Sequence, residues 1–357
     1  MMAGLKLTRF HTTKTFLDLA SVRAADGAYL VTIEHLYQEP KSWHDALTER
    51  TAWRFWRCAE PGNMLRQSSE STVTAPSAIS ASASISKNKL SALIESNQEH
   101  AAFLLTWNLV PSQPVQVPES SPALLSFDLD ATRANQVQVD RSEAWSTIGL
   151  QPRRWLFNPS VASFADRAEV VVAMNTADAH AIVWKSNGTT QPTQPLAFLS
   201  DALEPVATVE DSTMLLFYRQ PTPKWSIYFH SSKYSGTSGP LALPLLLGEL
   251  DETGHMLRSV NLSKERGVGD VFAFSVSGDS KGRLVLAVIS GTKDKPELRL
   301  YLSSDREKTL QELGATSLSA VPDRLTVAAT EVTAVVGLVY KETGGYQVEG
   351  VCVSLGR

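Results

Sequence analysis

The chain has 357 residues, 43% of them hydrophobic and 20% charged, and its 33 basic and 37 acidic side chains give a formal net charge of −4. This length allows one large domain or two ordinary ones, each with a full core. The near-neutral charge argues against nucleic acid as a partner, and no apolar run is long enough to span a membrane. The composition also excludes a collagen, a coiled coil and a disulfide-rich scaffold.

Short apolar runs separated by turns recur along the chain. Most are rich in β-branched and aromatic side chains, which favour strands over helices. The runs comprise residues 29–33, 102–107, 170–174, 214–218, 284–289 and 335–340. They alternate poorly between apolar and polar residues, a pattern typical of strands covered on both faces. The sequence therefore predicts an all-β protein.

A larger unit of strand, turn, very apolar strand, loop and third strand repeats at a spacing of roughly 40–50 residues, which is typical of a β-propeller. The units cover residues 17–58, 78–107, 158–198, 204–243, 271–313 and 325–353. The predicted third strand is residues 225–230 in the fourth unit and residues 297–302 in the fifth. We find no internal domain boundary, so the prediction is a single six-bladed propeller over residues 1–357. A seventh blade within residues 111–157, a β-sandwich and two smaller β-domains are the alternatives.

The ends of the chain are expected to close the ring. The last unit supplies only three strands, and residues 4–10 alternate cleanly enough to add the fourth. A first strand that completes the last blade removes exposed sheet edges. Residues 77–86 are rich in Ser and Ala and fit an inner strand, where space near the axis is short. Residues 42–57 fit either a helix or a loop followed by a strand at 51–58, and we favour the strand.

The two cysteines, Cys58 and Cys352, fall on the predicted third strands of the first and last blades. Because these blades are neighbours in a closed ring, a disulfide across the closure is one interpretation. The other is a pair of buried free thiols. The N-terminus lacks the apolar core of a secretory signal, which favours free thiols and a cytoplasmic location.

Motifs that would identify a common enzyme class are missing from the sequence. There is no nucleophile elbow, phosphate loop, dinucleotide fingerprint or paired-histidine zinc motif. The seven histidines are scattered and show no ligand spacing. We therefore predict neither a metal nor a cofactor.

Clusters that combine aromatic and basic side chains are the best candidates for a ligand site. Arginine offers forked hydrogen-bond donors, and tryptophan or tyrosine offers a flat apolar surface. The predicted ligand-binding residues are Trp43, Trp155, Tyr218, Arg219 and Trp225, and the residues that would act in a reaction are His44, Arg153 and Arg154. The alternative for each cluster is ordinary packing of a loop, with arginine stems covering an aromatic ring.

Residues 207–229 resemble a blade of the fungal fucose-specific lectin family. The resemblance rests on Ala207-Thr208-Val209, Met214-Leu215-Leu216-Phe217-Tyr218-Arg219 and Trp225-Ser226-Ile227-Tyr228-Phe229. It implies a six-bladed propeller in which an arginine, a glutamate and aromatic side chains hold a sugar between blades. Arg219 would match the arginine, and Trp225 or Tyr228 an aromatic. The expected third-strand glutamate is absent.

The leading functional hypothesis is a lectin-like propeller that binds a small molecule or carbohydrate at blade junctions or at the central mouth. The alternative is a cofactor-independent enzyme of fungal secondary metabolism, a cyclase or cycloaddition catalyst, because some such enzymes resemble these lectins without their sugar residues. In that enzyme Arg153 or Arg154 would polarise a carbonyl, and His44 would act as acid or base. A protein-interaction scaffold is the third hypothesis. The sequence predicts neither the ligand nor the oligomeric state.

Overall fold

Six four-stranded antiparallel sheets form the blades of a propeller in the computed structural model. The structure describes residues 5–36, 48–59, 64–76, 78–86, 89–96, 102–109, 115–117, 123–127, 156–164, 167, 169–176, 180–187, 195–210, 212–221, 241–278, 282–305 and 308–355. None of the helices in these ranges is long and apolar enough to cross a membrane.

Each blade runs from an inner strand at the axis to an outer strand at the rim. Blade 1 comprises β2 (Phe16–Ala24), β3 (Gly27–His35), β4 (Thr48–Ala59) and β5 (Met64–Pro76). Blade 2 comprises β6 (Ala78–Ser86), β7 (Lys89–Ser96), β8 (Ala102–Asn108) and β9 (Ala123–Phe127). Blade 3 comprises β10 (Leu156–Ser163), β11 (Val170–Thr176), β12 (Ala181–Ser186) and β13 (Ala197–Leu199).

The second half of the ring has the same order of strands. Blade 4 comprises β14 (Leu203–Glu210), β15 (Thr213–Arg219), β16 (Leu245–Leu250) and β17 (Met256–Asn261), followed by a one-turn helix α1 (Leu262–Glu265). Blade 5 comprises β18 (Ala273–Gly278), β19 (Leu284–Thr292), β20 (Lys295–Ser303) and β21 (Gln311–Ser317). Blade 6 comprises β22 (Arg324–Ala329), β23 (Thr333–Glu342), β24 (Gly345–Ser354) and, from the start of the chain, β1 (Thr8–Thr13).

The first strand closes the ring, as predicted. Strand β1 lies antiparallel to β24, with Thr8 opposite Gly350 and Thr13 opposite Tyr346. It begins a few residues later than residues 4–10, the segment the alternation indicated. The predicted inner strand at 77–86 and the preference for a strand at 51–58 are also confirmed, as β6 and β4.

The predicted third strand of blade 4 is wrong. Strand β15 pairs along its whole length with Leu245–Leu250, so these residues, and not residues 225–230, form the third strand. All six residues of β16 are buried. The physical reason is burial, because the four leucines of this segment suit a strand that is covered on both faces, and its one charged residue, Glu249, pairs with Arg258. Residues 225–230 lie outside the described residues.

The inner strands need hydrogen-bond partners on the edge that faces the preceding blade. A strand edge carries backbone N–H groups that must be satisfied when they are buried. Side chains of the preceding blade accept these hydrogen bonds in most of the ring. The pairs are Ser82 Oγ with Val161 N (3.1 Å), Ser84 Oγ with Ser163 N (3.0 Å), Ser160 Oγ with Ala207 N (2.9 Å), Ser275 Oγ with Val327 N (3.1 Å), Ser277 Oγ with Ala329 N (3.0 Å) and Asp18 Oδ2 with Ala81 N (2.9 Å). The small hydroxyl residues of the inner strands therefore build the wall of the ring.

The two cysteines form a disulfide, which corrects the preference for free thiols. Cys58 on β4 and Cys352 on β24 have their Cα atoms 6.0 Å apart and are separated by 294 residues in sequence. The bond joins blade 1 to blade 6, beside the point where β1 completes the ring. Neighbouring side chains in this core cluster include Trp56, Leu65 and Val348. The fold brings the two thiols together because the first and last blades are adjacent.

Candidate functional site at the mouth of the central channel

A channel of about 470 Å³ runs along the propeller axis and is lined by all six inner strands. Its volume lies in the range of small-molecule sites. The inner strands all run in one direction, so we call the end where they begin the N-terminal mouth and the other end the C-terminal mouth. Charged and amide side chains line the N-terminal mouth, among them Asn158, Glu204, Asp323 and Arg324.

Irregular backbone marks the N-terminal mouth in four consecutive blades. The pairing between the first and second strands shifts register at the start of β2, β6, β10 and β14. Such bulges redirect side chains and are common near functional sites. In blades 3 and 4 the bulge places Asn158 and Glu204 in the left-handed region, with φ of 48° and 52°.

These two residues occupy equivalent positions and both carry strained backbone. Each precedes a proline, Pro159 or Pro205, which normally drives the residue before it to an extended conformation. A left-handed conformation in a residue other than glycine costs free energy and persists only where the surroundings enforce it. The strain therefore points to the N-terminal mouth between blades 3 and 4 as a candidate site.

Asn175, at the end of β11, supports both bulges. Its side chain is buried, and its Oδ1 atom accepts a hydrogen bond from Asn158 Nδ2 at 3.2 Å and another from the Glu204 backbone N–H. Its Nδ2 atom donates to the carbonyls of His180 and Ala202. One buried amide thus determines the backbone of two neighbouring blades at the mouth.

Arg219, at the equivalent position on β15, supports Glu204 from behind. Its Nη2 atom lies 2.7 Å from Glu204 Oε1, and its Nη1 atom donates to three backbone carbonyls, those of Leu241, Val271 and Phe272. The Arg219 side chain is only 6% exposed, whereas that of Glu204 is 25% exposed. The carboxylate of Glu204 therefore reaches the channel, while the arginine that orients it stays in the wall.

The opposite wall presents a guanidinium group. Arg324 Nε donates to Asp18 Oδ1 at 2.8 Å, and Arg324 Nη1 donates to the carbonyl of Asp323 at 2.8 Å. Asp18 is buried and also accepts from the backbone N–H of Leu19 and Ala81, so it anchors the arginine. The mouth thus offers carboxylate and amide acceptors on one side and an arginine donor on the other. This combination suits a ligand with several hydroxyl groups.

A second ionic cluster, centred on Glu34, lies at the junction of blades 6 and 1. Glu34 accepts hydrogen bonds from His11 Nε2 (2.7 Å) and Thr13 Oγ1 (2.6 Å) and pairs with Arg54 Nη1 (2.6 Å). Burial alone would raise the pKa of Glu34, but these three groups outweigh it and lower the pKa to about 2. His11 and Thr13 come from the closing strand β1, so the cluster fastens that strand to blade 1.

The site residues predicted from the sequence are not the residues that line the N-terminal mouth. Trp43, His44, Arg153, Arg154, Trp155 and Trp225 lie outside the described residues. Tyr218 is buried in the core between blades 3 and 4, and this burial raises its pKa. Arg219 supports Glu204 as described. The roles assigned to these eight residues remain predictions.

Asn158 and Asn175 were not among the predicted site residues. A signal for the first was present, since Asn158-Pro159 and Glu204-Pro205 open two successive units. No signal marked Asn175, because its role depends on contacts with the next blade.

Comparison with known proteins supports the fold. No family model and no curated protein sequence matches the chain. Among solved structures, it is similar to a protein of unknown function from Dyadobacter fermentans, with a TM-score of 0.54, 9% identity and 99% of both chains covered. It is also similar to a triple-mutant form of AofleA from Arthrobotrys oligospora, with a TM-score of 0.51, 10% identity, and 99% of this chain and 91% of that chain covered. At such identities the likeness shows the propeller fold alone.

Proposed function

We propose that the protein is a lectin-like propeller that binds a small polyhydroxylated ligand, such as a sugar, at the N-terminal mouth of its channel. The observation that carries the proposal is the pair of strained, equivalent bulges that present Asn158 and Glu204 to the channel. Arg219 and Asn175 hold these bulges from buried positions, so the site is organised before a ligand arrives. Preorganisation lowers the cost of binding.

The polarity of the mouth supports a polar ligand over an apolar one. Hydroxyl groups both donate and accept, so those of a sugar can donate to Glu204 or accept from Arg324. In this proposal the side chains bind and orient the ligand without reacting with it. The cyclase alternative depends on His44, Arg153 and Arg154, which lie outside the described residues. The binding test below distinguishes it from sugar binding.

The test is a thermal-shift screen of the purified protein with a panel of monosaccharides beside a panel of apolar polyketide- and terpene-like compounds. A ligand that binds only the folded state raises the melting temperature by mass action. A sugar that produces a shift is then titrated by calorimetry into wild type, Glu204→Gln and Glu342→Gln. The last is the matched control, because Glu342 has the same chemistry and is exposed at the hairpin between β23 and β24.

The expected result is a sugar-dependent shift that Glu204→Gln abolishes and Glu342→Gln preserves. Loss of one charge-assisted hydrogen bond is expected to weaken binding by about tenfold or more. A sugar affinity equal in all three proteins would place the site elsewhere. Shifts with apolar compounds alone would favour the cyclase, and shifts with neither panel would overturn sugar binding.

A further inference from the structure

At the C-terminal mouth of the channel, the side chain of Arg23 reaches past the neighbouring blade to the next one. Arg23 lies at the end of β2 in blade 1, and its Nη1 atom donates to the carbonyl of Gly278 at 2.8 Å. Gly278 is the last residue of β18 in blade 5. Blade 6 separates blades 1 and 5, because β22 packs against both β2 and β18. The Arg23 side chain therefore passes blade 6 and connects blade 1 directly to blade 5.

Small residues lie near this connection. Strand β22, which lies between β2 and β18, ends in two small residues, Ala328 and Ala329. On the far side, a Cβ atom added to Gly278 would lie 3.2 Å from Thr208 Oγ1 of blade 4. Blades 4 and 5 thus approach each other closely where Arg23 arrives, and residues from three blades converge at this end.

We infer that Arg23 closes the C-terminal mouth, so that the channel is a pocket entered from the end where Asn158 and Glu204 lie. This inference rests on the proposed function for its consequence, which concerns the size of the ligand. A pocket closed at one end admits a single sugar unit or the terminal unit of a chain, whereas a polymer cannot thread through it. Arg23 is then a specificity-determining residue that does not contact the groups holding the ligand at the entrance.

The experiment measures access to the C-terminal mouth with a thiol reagent and needs no ligand. Both native cysteines are in the disulfide, so an introduced cysteine is the single reactive thiol. Thr208→Cys places this thiol beside Gly278, and Val209→Cys is the second choice if the first variant folds poorly. The probe is fluorescein-5-maleimide, which is rigid and too bulky to travel the length of the channel. Circular dichroism and a thermal melt confirm the fold of each variant.

Each introduced thiol is combined with wild-type Arg23, Arg23→Ala and Arg23→Gln. The glutamine variant keeps a hydrogen-bond donor and much of the length without the charge. Ala273→Cys, at the start of β18, reports the opposite mouth. A small reagent, methyl methanethiosulfonate, is applied throughout as a measure of thiol reactivity.

Removal of Arg23 is expected to raise the labelling rate of the Thr208→Cys thiol about tenfold or more, because a hydrogen bond from a charged donor must otherwise break first. Arg23→Gln is expected to stay near the wild-type rate, and the Ala273→Cys thiol to be unaffected. Equal labelling with and without Arg23, whether fast or slow, would overturn the inference. Since no ligand is involved, that failure would leave the proposed sugar site untouched.

Discussion

Removal of the Cys58–Cys352 bond is expected to cost a large part of the protein's stability. A cross-link stabilises a protein mainly by restricting the unfolded chain, and its effect grows with the loop it closes. Here the loop contains most of the propeller, because the two cysteines have a sequence separation of 294. The chain-entropy relation gives about 6 kcal/mol for a loop of this size, and measured disulfides commonly reach 2–4 kcal/mol.

The variant is Cys58→Ala with Cys352→Ala, compared with wild type before and after chemical reduction. The assay is equilibrium unfolding in guanidinium chloride, followed by tryptophan fluorescence and circular dichroism to test for coincident transitions. The free energy of unfolding should fall by about 2–6 kcal/mol, a large share of the stability of an ordinary domain. The m-value should rise, since an unfolded chain without the cross-link exposes more surface.

Val348→Ala is the matched control, because Val348 packs in the same core cluster and its truncation leaves the cross-link intact. It should lower the free energy of unfolding without changing the m-value. If the double variant behaves like this control, with an unchanged m-value, the loss comes from packing and the entropic reasoning is refuted. A loss below about 1 kcal/mol would refute it as well.

Three further perturbations test the contacts at the ring closure, the mouth and the wall. Glu34→Gln should lower stability at neutral pH by about 3 kcal/mol, since it leaves the partners of a buried ion pair uncompensated. Because the pKa of Glu34 is lowered to about 2, its contribution is present above pH ~4.5 and is lost as the pH falls toward 2, so the acid limb of the wild-type stability curve should flatten in the variant. Asn158→Ala should be less stable than Asn158→Gly by about 1 kcal/mol, because the left-handed φ of 48° suits glycine. Ser82→Ala should cost about 1–3 kcal/mol, since it leaves the Val161 N–H without its acceptor.

Each of these has a result that would contradict it. A variant at Glu34 that keeps the wild-type acid limb would assign the acid sensitivity to other carboxylates. Equal stability of the alanine and glycine variants at Asn158 would show that the strain is not stored there. Ser354→Ala, on an exposed strand end, is the control for Ser82 and should change stability by less than about 0.5 kcal/mol. All these measurements use chemical denaturation monitored by circular dichroism.

The contrast between blades 4 and 5 shows where sequence reasoning about strands succeeds. In blade 5 residues 297–302 were predicted as the third strand, and β20 contains them. In blade 4 the third strand was predicted at residues 225–230, whereas the structure has it at Leu245–Leu250. Both segments fit a strand locally, and only pairing with β15 distinguishes them.

The sequence by itself determined the repeated pattern of strands. Strands buried on both faces require continuous apolar runs, and their recurrence predicted the all-β class, the six blades and the closing role of the first strand. These properties depend on neighbours along the chain or on a repeated unit, and so they are visible in one dimension.

Only the tertiary structure decided whether the two cysteines are free thiols or a disulfide, and which side chains come together at the N-terminal mouth. Cys58 and Cys352 become neighbours because the ring closes, a contact that no local pattern records. Asn175 accepts a hydrogen bond from the Glu204 backbone N–H across a blade boundary. Arg219 donates to the carbonyl of Phe272, next to the following blade. Contacts between blades depend on the closed geometry, which places residues far apart in sequence within hydrogen-bond distance.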